Sequence, residues 1–126
     1  MHHRASVPLL ILLALLLAVP ARPASAFSVL AHQAVIDRSW DDVIVPALRD
    51  RFPAASADEI EQARAFAYGG SHVPDLGYFP FGSRLFTDLL HYVRSGEFVG
   101  ALVADAGNVQ EYAFALGAAS HYVADT

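Results

Sequence analysis

An all-α domain is the fold class that the sequence predicts for residues 27–126. Helix start signals recur along the chain, and Gly and Pro interrupt the segments between them. No stretch alternates apolar and polar residues as a half-buried strand would. The length is that of a single domain, so we expect short helices packed around one small core.

Residues 1–26 have the three-part pattern of a secretory signal peptide. A short basic start containing Arg4 precedes the apolar run Val7–Val19, and small residues occupy positions 24–26. The run is shorter than the ~20 residues that span a bilayer, so a membrane anchor is the weaker interpretation. We expect cleavage after Ala26, a mature chain that begins at Phe27, and a secreted or periplasmic location.

The first half of the mature chain contains three predicted helices. Residues 28–38 form the first, and residues 40–51 form the second with Ser39 as its N-cap. A capping box at residues 56–59 starts the third, which we expect to end at the glycine pair 69–70.

The second half begins with an aromatic segment and returns to helices. Residues 71–83 contain two prolines and two glycines, which predicts a structured loop. Helices are then predicted over residues 84–95 and 97–105, and Asn108 caps a final helix with a glutamate three residues later.

The charge of the chain argues against several classes of partner, and its lack of cysteine limits what can stabilise the fold. Removal of residues 1–26 takes away two arginines and no acid, which leaves 6 arginines, 13 acids and a formal charge of −7, with no lysine. A broad nucleic-acid-binding surface and strong electrostatic adsorption to an anionic membrane are therefore disfavoured. Since the chain has no cysteine, bound metal or further sequence is the available support for a small secreted domain.

His121 and Asp125 form the strongest local motif. Residues four apart on a helix share a face, so both side chains can reach one zinc ion. The alternative is a core histidine beside a solvent-facing acid. His91 lies in an apolar segment, and a histidine there is by itself more often a core residue than a ligand. Asp75 lies in the aromatic loop and could equally be an ordinary turn acid. His72 is a further candidate that could supplement a metal site.

Together these segments resemble the zinc-dependent phospholipase C family, over essentially the whole mature chain. The resemblance rests on residues 27–32 (FSVLAH), 74–78 (PDLGY), 80–83 (PFGS), 91–96 (HYVRSG) and 121–125 (HYVAD). It implies an all-helical domain whose cleft holds three zinc ions.

The resemblance also implies a ligand set for two of those ions. One zinc would be held by Asp75, His91, His121 and Asp125. The second would share Asp125 and take His32 together with the free amine and carbonyl oxygen of Phe27. The ligands of the third are expected beyond Thr126, so the chain resembles an incomplete domain, inactive or weakly active as it stands.

The implied reaction is hydrolysis of a phosphodiester, with phospholipid as the expected substrate and peripheral contact with a membrane surface. Asp75 is the candidate catalytic base. Aromatic side chains at positions 78, 79, 81 and 86 are candidates for a headgroup pocket. Two alternatives are a single-strand nuclease with the same three-zinc plan and a non-catalytic helical domain stabilised by zinc. Headgroup preference and oligomeric state do not follow from the sequence.

Overall fold

The computed structural model describes residues 23–125, with side chains from Val29 onward. Within this part of the chain the secondary structure is helical and contains no strand, so the prediction of an all-α fold is confirmed. Two π-helical turns and one 3-10 helix join the α-helices. The π turns are Trp40–Ile44 and Leu89–Val93, and the 3-10 helix is Val73–Tyr78. The α-helices are α1 (Pro23–Ser39), α2 (Val45–Arg51), α3 (Ala57–His72), α4 (Arg84–Asp88), α5 (Ser95–Asp105) and α6 (Val109–Ala124).

Helices α3 and α6 form the most extensive helix pair of the described structure. Small residues line their contact. A Cβ atom at Gly70 would overlap the carbonyl oxygen of Phe114, and one at Gly117 would overlap the carbonyl oxygen of Ala67. The two backbones therefore touch directly, which brings the end of α3 against the second half of α6.

The prediction that the glycine pair ends the third helix is wrong. Helix α3 continues through both glycines to His72. Gly70 is required for the close approach to α6, and this tertiary contact outweighs the low helix propensity of glycine.

Ser39 does not act as an N-cap. Its backbone is helical and its hydroxyl donates a hydrogen bond backwards to the carbonyl oxygen of Val35 at 2.7 Å. The chain passes without a break into the π turn Trp40–Ile44 and then into α2, which has Pro46 in its first turn. A π turn is wider than an α turn, so it leaves room for the Pro46 ring beside the carbonyl group four residues earlier. The two predicted segments therefore form one helical path.

The predicted capping signals of the other helices are present. The Ser56 hydroxyl accepts from the N–H of Glu59, and the Glu59 carboxylate accepts from the N–H of Ser56 at 2.8 Å. The Asn108 side chain accepts from the N–H of Glu111 at the start of α6. The segment predicted as a loop is more regular than expected, because the 3-10 helix occupies its middle.

The apolar core lies between α1, the first π turn, α3 and the first half of α6. The largest core side chains are Ile36, Trp40, Leu48 and Ile60. This packing leaves the second half of α6 to face the 3-10 helix and the π turn Leu89–Val93, where the candidate site lies.

No helix of the described part is long and apolar enough to cross a membrane. Residues 1–22, which hold most of the predicted signal peptide, lie outside the described residues. Cleavage after Ala26 therefore stays a prediction.

Candidate metal centre

Four separate segments bring the predicted ligands to one place. His32 lies on α1, Asp75 on the 3-10 helix and His91 on the second π turn, while His121 and Asp125 lie in the last turn and at the C-cap of α6. Residues that are far apart in the sequence thus form one cluster of imidazoles and carboxylates.

His91 and His121 face each other through their Nε2 atoms, which are 3.0 Å apart. The other ring nitrogens are engaged by backbone carbonyls. His91 Nδ1 lies 2.9 Å from the carbonyl oxygen of Thr87, and His121 Nδ1 lies 2.8 Å from that of Ser71. Since a carbonyl only accepts, each Nδ1 carries the hydrogen and each neutral ring presents the lone pair of Nε2.

Two lone pairs that face each other across 3.0 Å repel, and a metal ion bound by both nitrogens would remove that repulsion. A histidine whose second nitrogen donates to a backbone carbonyl has the arrangement common to metal ligands in proteins.

In each of the two carboxylates, the two oxygen atoms lie near different histidines. Asp75 Oδ1 lies 3.3 Å from Nε2 of His91, whereas its Oδ2 lies 3.4 Å from Nε2 of His32. Asp125 Oδ2 lies 3.2 Å from Nε2 of His121, whereas its Oδ1 lies 3.7 Å from Nε2 of His32. The carboxylates therefore lie between His32 on one side and the pair His91 and His121 on the other.

These separations fit zinc coordination. Tetrahedral ligands at 2.0–2.1 Å from zinc are about 3.3 Å apart, and the distances in the cluster run from 3.0 to 4.0 Å. Two overlapping groups have donor atoms close enough to hold an ion: Asp75 with His91 and His121, and His32 with His121 and Asp125. The two groups have His121 in common, and each contains one of the two carboxylates. The imidazole and carboxylate donors present thus fit zinc.

The imidazoles of His32 and His121 are buried, whereas the other three side chains of the cluster are partly exposed. The side chains of His32 and His121 are 1% and 0% exposed, whereas that of Asp125 is 43% exposed. Burial lowers the pKa of His121, since the charged ring loses hydration, although the Ser71 carbonyl acts in the opposite direction. Burial thus favours the neutral imidazole that a metal requires.

Two further predicted residues are Phe27 and His72. Phe27 lies on α1, five residues before His32, and its nitrogen is part of the peptide bond to Ala26, so the ligand role predicted for its free amine is untested. The ring of His72 is 6.1 Å from that of His32, and neither of its nitrogens has a hydrogen-bond partner among the described residues. His72 belongs to neither of the two potential metal-binding groups.

Two residues of the site were not predicted, namely Ser71 and Thr87, whose carbonyls orient the two facing histidines. For Thr87 a local signal existed, because His91 follows four residues later on the same helical face. For Ser71 none existed, since fifty residues separate it from His121.

Of the aromatic residues predicted to line a pocket, Tyr78 lies beside the cluster, with its ring centre 5.8 Å from that of His91. The side chain of Phe81 is fully exposed, and its place in a headgroup pocket stays a prediction. A cavity of about 480 Å³ does lie between α3, α5 and α6, but it is lined mainly by apolar groups such as Phe66, Phe98 and Phe114 and contains no predicted ligand.

Comparison with known proteins gives one match. A family model described as "Zinc dependent phospholipase C" matches residues 30–126, a stretch that includes every predicted ligand except Phe27. Searches among curated proteins and among solved structures found no match. The extent of the family match, together with the cluster of histidines and aspartates, shows that the chain belongs to the zinc-dependent phospholipase C family.

Proposed function

We propose that this protein is a secreted zinc-dependent phosphodiester hydrolase that cleaves phospholipids as a phospholipase C does. One observation supports the proposal most directly. Both Asp75 and Asp125 have one carboxylate oxygen near His32 and the other near the pair of His91 and His121. A carboxylate that faces two metal positions is the element from which a multinuclear phosphodiesterase site is built.

Each residue of the cluster has a definite task in this proposal. His91, His121 and His32 would hold zinc through Nε2, with His91 and His121 kept in orientation by the Thr87 and Ser71 carbonyls. Asp125 would be shared between the two metal positions. Bound zinc would supply a Lewis acid that lowers the pKa of a coordinated water and neutralises phosphate charge.

Asp75 is the proposed general base. It lies beside His32 and His91, and a carboxylate next to the attacking water can accept its proton. The water oxygen would form a new bond to phosphorus while the bond from phosphorus to the glycerol oxygen breaks, and the glycerol oxygen would take up a proton from solvent water. The products would be a diacylglycerol and a phosphorylated headgroup.

The proposal is tested by measuring hydrolysis of phosphatidylcholine and of single-stranded DNA by the purified full-length protein, with and without a zinc chelator. We expect chelator-sensitive release of diacylglycerol. Replacement Asp125→Asn should reduce this activity roughly 100-fold or more, because even partners outside the ligand sphere typically contribute 10- to 100-fold. Asp41→Asn, which changes an exposed acid on the first π turn, is the matched control.

Two outcomes would contradict the proposal. Preference for DNA over every phospholipid would place the protein with the related nucleases, for which the five-residue spacing from Phe27 to His32 is also suitable. Activity that survives complete removal of zinc would exclude a zinc-dependent reaction.

A further inference from the structure

The turn that follows the 3-10 helix has an unusual residue at its tip. The N–H of Gly82 donates to the carbonyl oxygen of Phe79 at 2.9 Å, which places Pro80 and Phe81 at the two central positions. Phe81 has a φ of 69°, and no other non-glycine residue of the described chain has a positive φ. Turns with proline at the first central position and a positive φ at the second normally have glycine or asparagine there.

The turn is held in place by its neighbours. A Cβ atom at Gly82 would overlap the carbonyl oxygen of Leu76 and press on the backbone of Gly77, so the turn lies directly on the 3-10 helix. The N–H of Phe79 also donates to the carbonyl oxygen of Leu76 at 3.3 Å. The position of Phe81 is therefore coupled to the short helix that carries Asp75.

Phe81 is unfavourable for the described structure in two ways. A bulky side chain is strained at a positive φ, and this side chain is also fully exposed to water. Both effects disfavour phenylalanine at a position where glycine or asparagine would be tolerated. Strain of this kind is concentrated at functional positions, which indicates an external partner for the ring.

Phe81 lies in a stretch with several exposed apolar residues. From Leu76 to Thr87 the only charged side chain is Arg84. The exposed large apolar residues of this stretch are Leu76, Tyr78, Phe79, Phe81, Leu85 and Phe86, which we call the aromatic turn surface.

We propose that the aromatic turn surface docks on a phospholipid bilayer, with the Phe81 ring inserted among the lipid chains at the interface. The inference rests on the proposed phospholipid substrate. Aromatic and leucine side chains are the groups that peripheral proteins insert at this depth. Since the chain has no lysine and a negative net charge, apolar insertion and not attraction to anionic lipid would supply the affinity.

The location of the surface favours lipid over a second copy of the chain. Tyr78 belongs to the surface, and its ring centre is 5.8 Å from that of His91, so the surface adjoins the candidate metal centre. A bilayer bound there would present headgroups beside the cluster. A second copy bound there would instead cover the approach to it.

The test is cosedimentation of the zinc-loaded protein with phosphatidylcholine vesicles, comparing wild type with Phe81→Asn. Without the ring that inserts into the bilayer, partitioning of the protein onto the vesicles should weaken roughly tenfold or more. Val43→Asn is the matched control, because Val43 is an exposed apolar residue of the first π turn, outside the aromatic turn surface. The melting temperature of Phe81→Asn should be equal to or above that of wild type, because asparagine tolerates a positive φ.

A lower melting temperature with unchanged partitioning would show that Phe81 has a structural role and would overturn the inference. Loss of a dimer in sedimentation velocity on Phe81→Asn would identify a second copy as the partner and would also overturn it. The proposed function is measured separately on a short-chain phosphatidylcholine below its critical micelle concentration. Partitioning that depends on Phe81, without hydrolysis of either lipid, would refute the proposed function and leave the docking surface standing.

Discussion

The hydroxyl oxygen of Thr87 accepts a hydrogen bond from the backbone N–H of Gly77 at 2.6 Å, across a fully buried contact. The carbonyl oxygen of the same threonine accepts from Nδ1 of His91 at 2.9 Å. Gly77 lies two residues after Asp75 in the 3-10 helix. One residue thus connects the segments that carry two of the predicted zinc ligands.

Replacement Thr87→Val should destabilise the protein and weaken zinc binding together. Valine keeps the shape of threonine but leaves the buried N–H of Gly77 without its acceptor, at a cost of about 1–3 kcal/mol. Thr87→Ser retains the hydroxyl and should bind zinc as wild type does. Urea denaturation and competition with a chromophoric chelator measure the two effects. Equal zinc affinity in the valine and serine variants would show that the hydrogen bond does not position the ligands.

Gly70→Ala should destabilise the protein by about 1–3 kcal/mol or more, because the added Cβ overlaps the backbone of α6 at Phe114. Gly100→Ala is the control. A Cβ at Gly100, within α5, meets open space, so this change should stabilise by up to about 1 kcal/mol through helix propensity. Thermal denaturation of both variants checks the prediction. A similar effect in the two variants would contradict the direct contact of α3 with α6.

Without zinc, the protein should lose stability as the pH falls below about 6.5. Burial lowers the pKa of His121 in the folded state from its ordinary value of 6.5, so the unfolded chain binds more protons. Stability therefore rises with pH through this range and falls when the solution is acidified. His121→Gln should make the dependence shallower, as followed by urea denaturation in chelator between pH 5 and pH 8. An equally steep dependence in the variant would assign the titration to other groups.

Signal cleavage should complete the second zinc site. An amine within the peptide bond between Ala26 and Phe27 has no lone pair for a metal, whereas the free amine of Phe27 does. With an ordinary pKa of about 8 this amine must lose a proton to bind, so zinc affinity should rise with pH. A protein with one extra residue before Phe27 should fold but bind about one zinc ion fewer, measured by elemental analysis. Equal zinc content in the two forms would remove Phe27 from the ligand set.

The helical class, the caps at Ser56 and Asn108, and the kinds of side chain available to a metal could all be predicted from the sequence. Caps and helical faces depend on hydrogen bonds and contacts between residues three or four positions apart, which are visible in the sequence. The spacing of His121 and Asp125 is of this kind. The resemblance to a known family added His32, Asp75 and His91.

Only the tertiary structure decided which side each ligand faces and where the helices end. Helix α3 passes through Gly70 because the glycine lets its backbone touch α6, and the same contact brings the Ser71 carbonyl to the ring of His121. The two oxygens of Asp75 lie near His32 and His91 because of where the tertiary fold places α1 and the second π turn. These contacts join residues tens of positions apart, and they form only when the helices pack against one another. No local sequence pattern therefore predicts them.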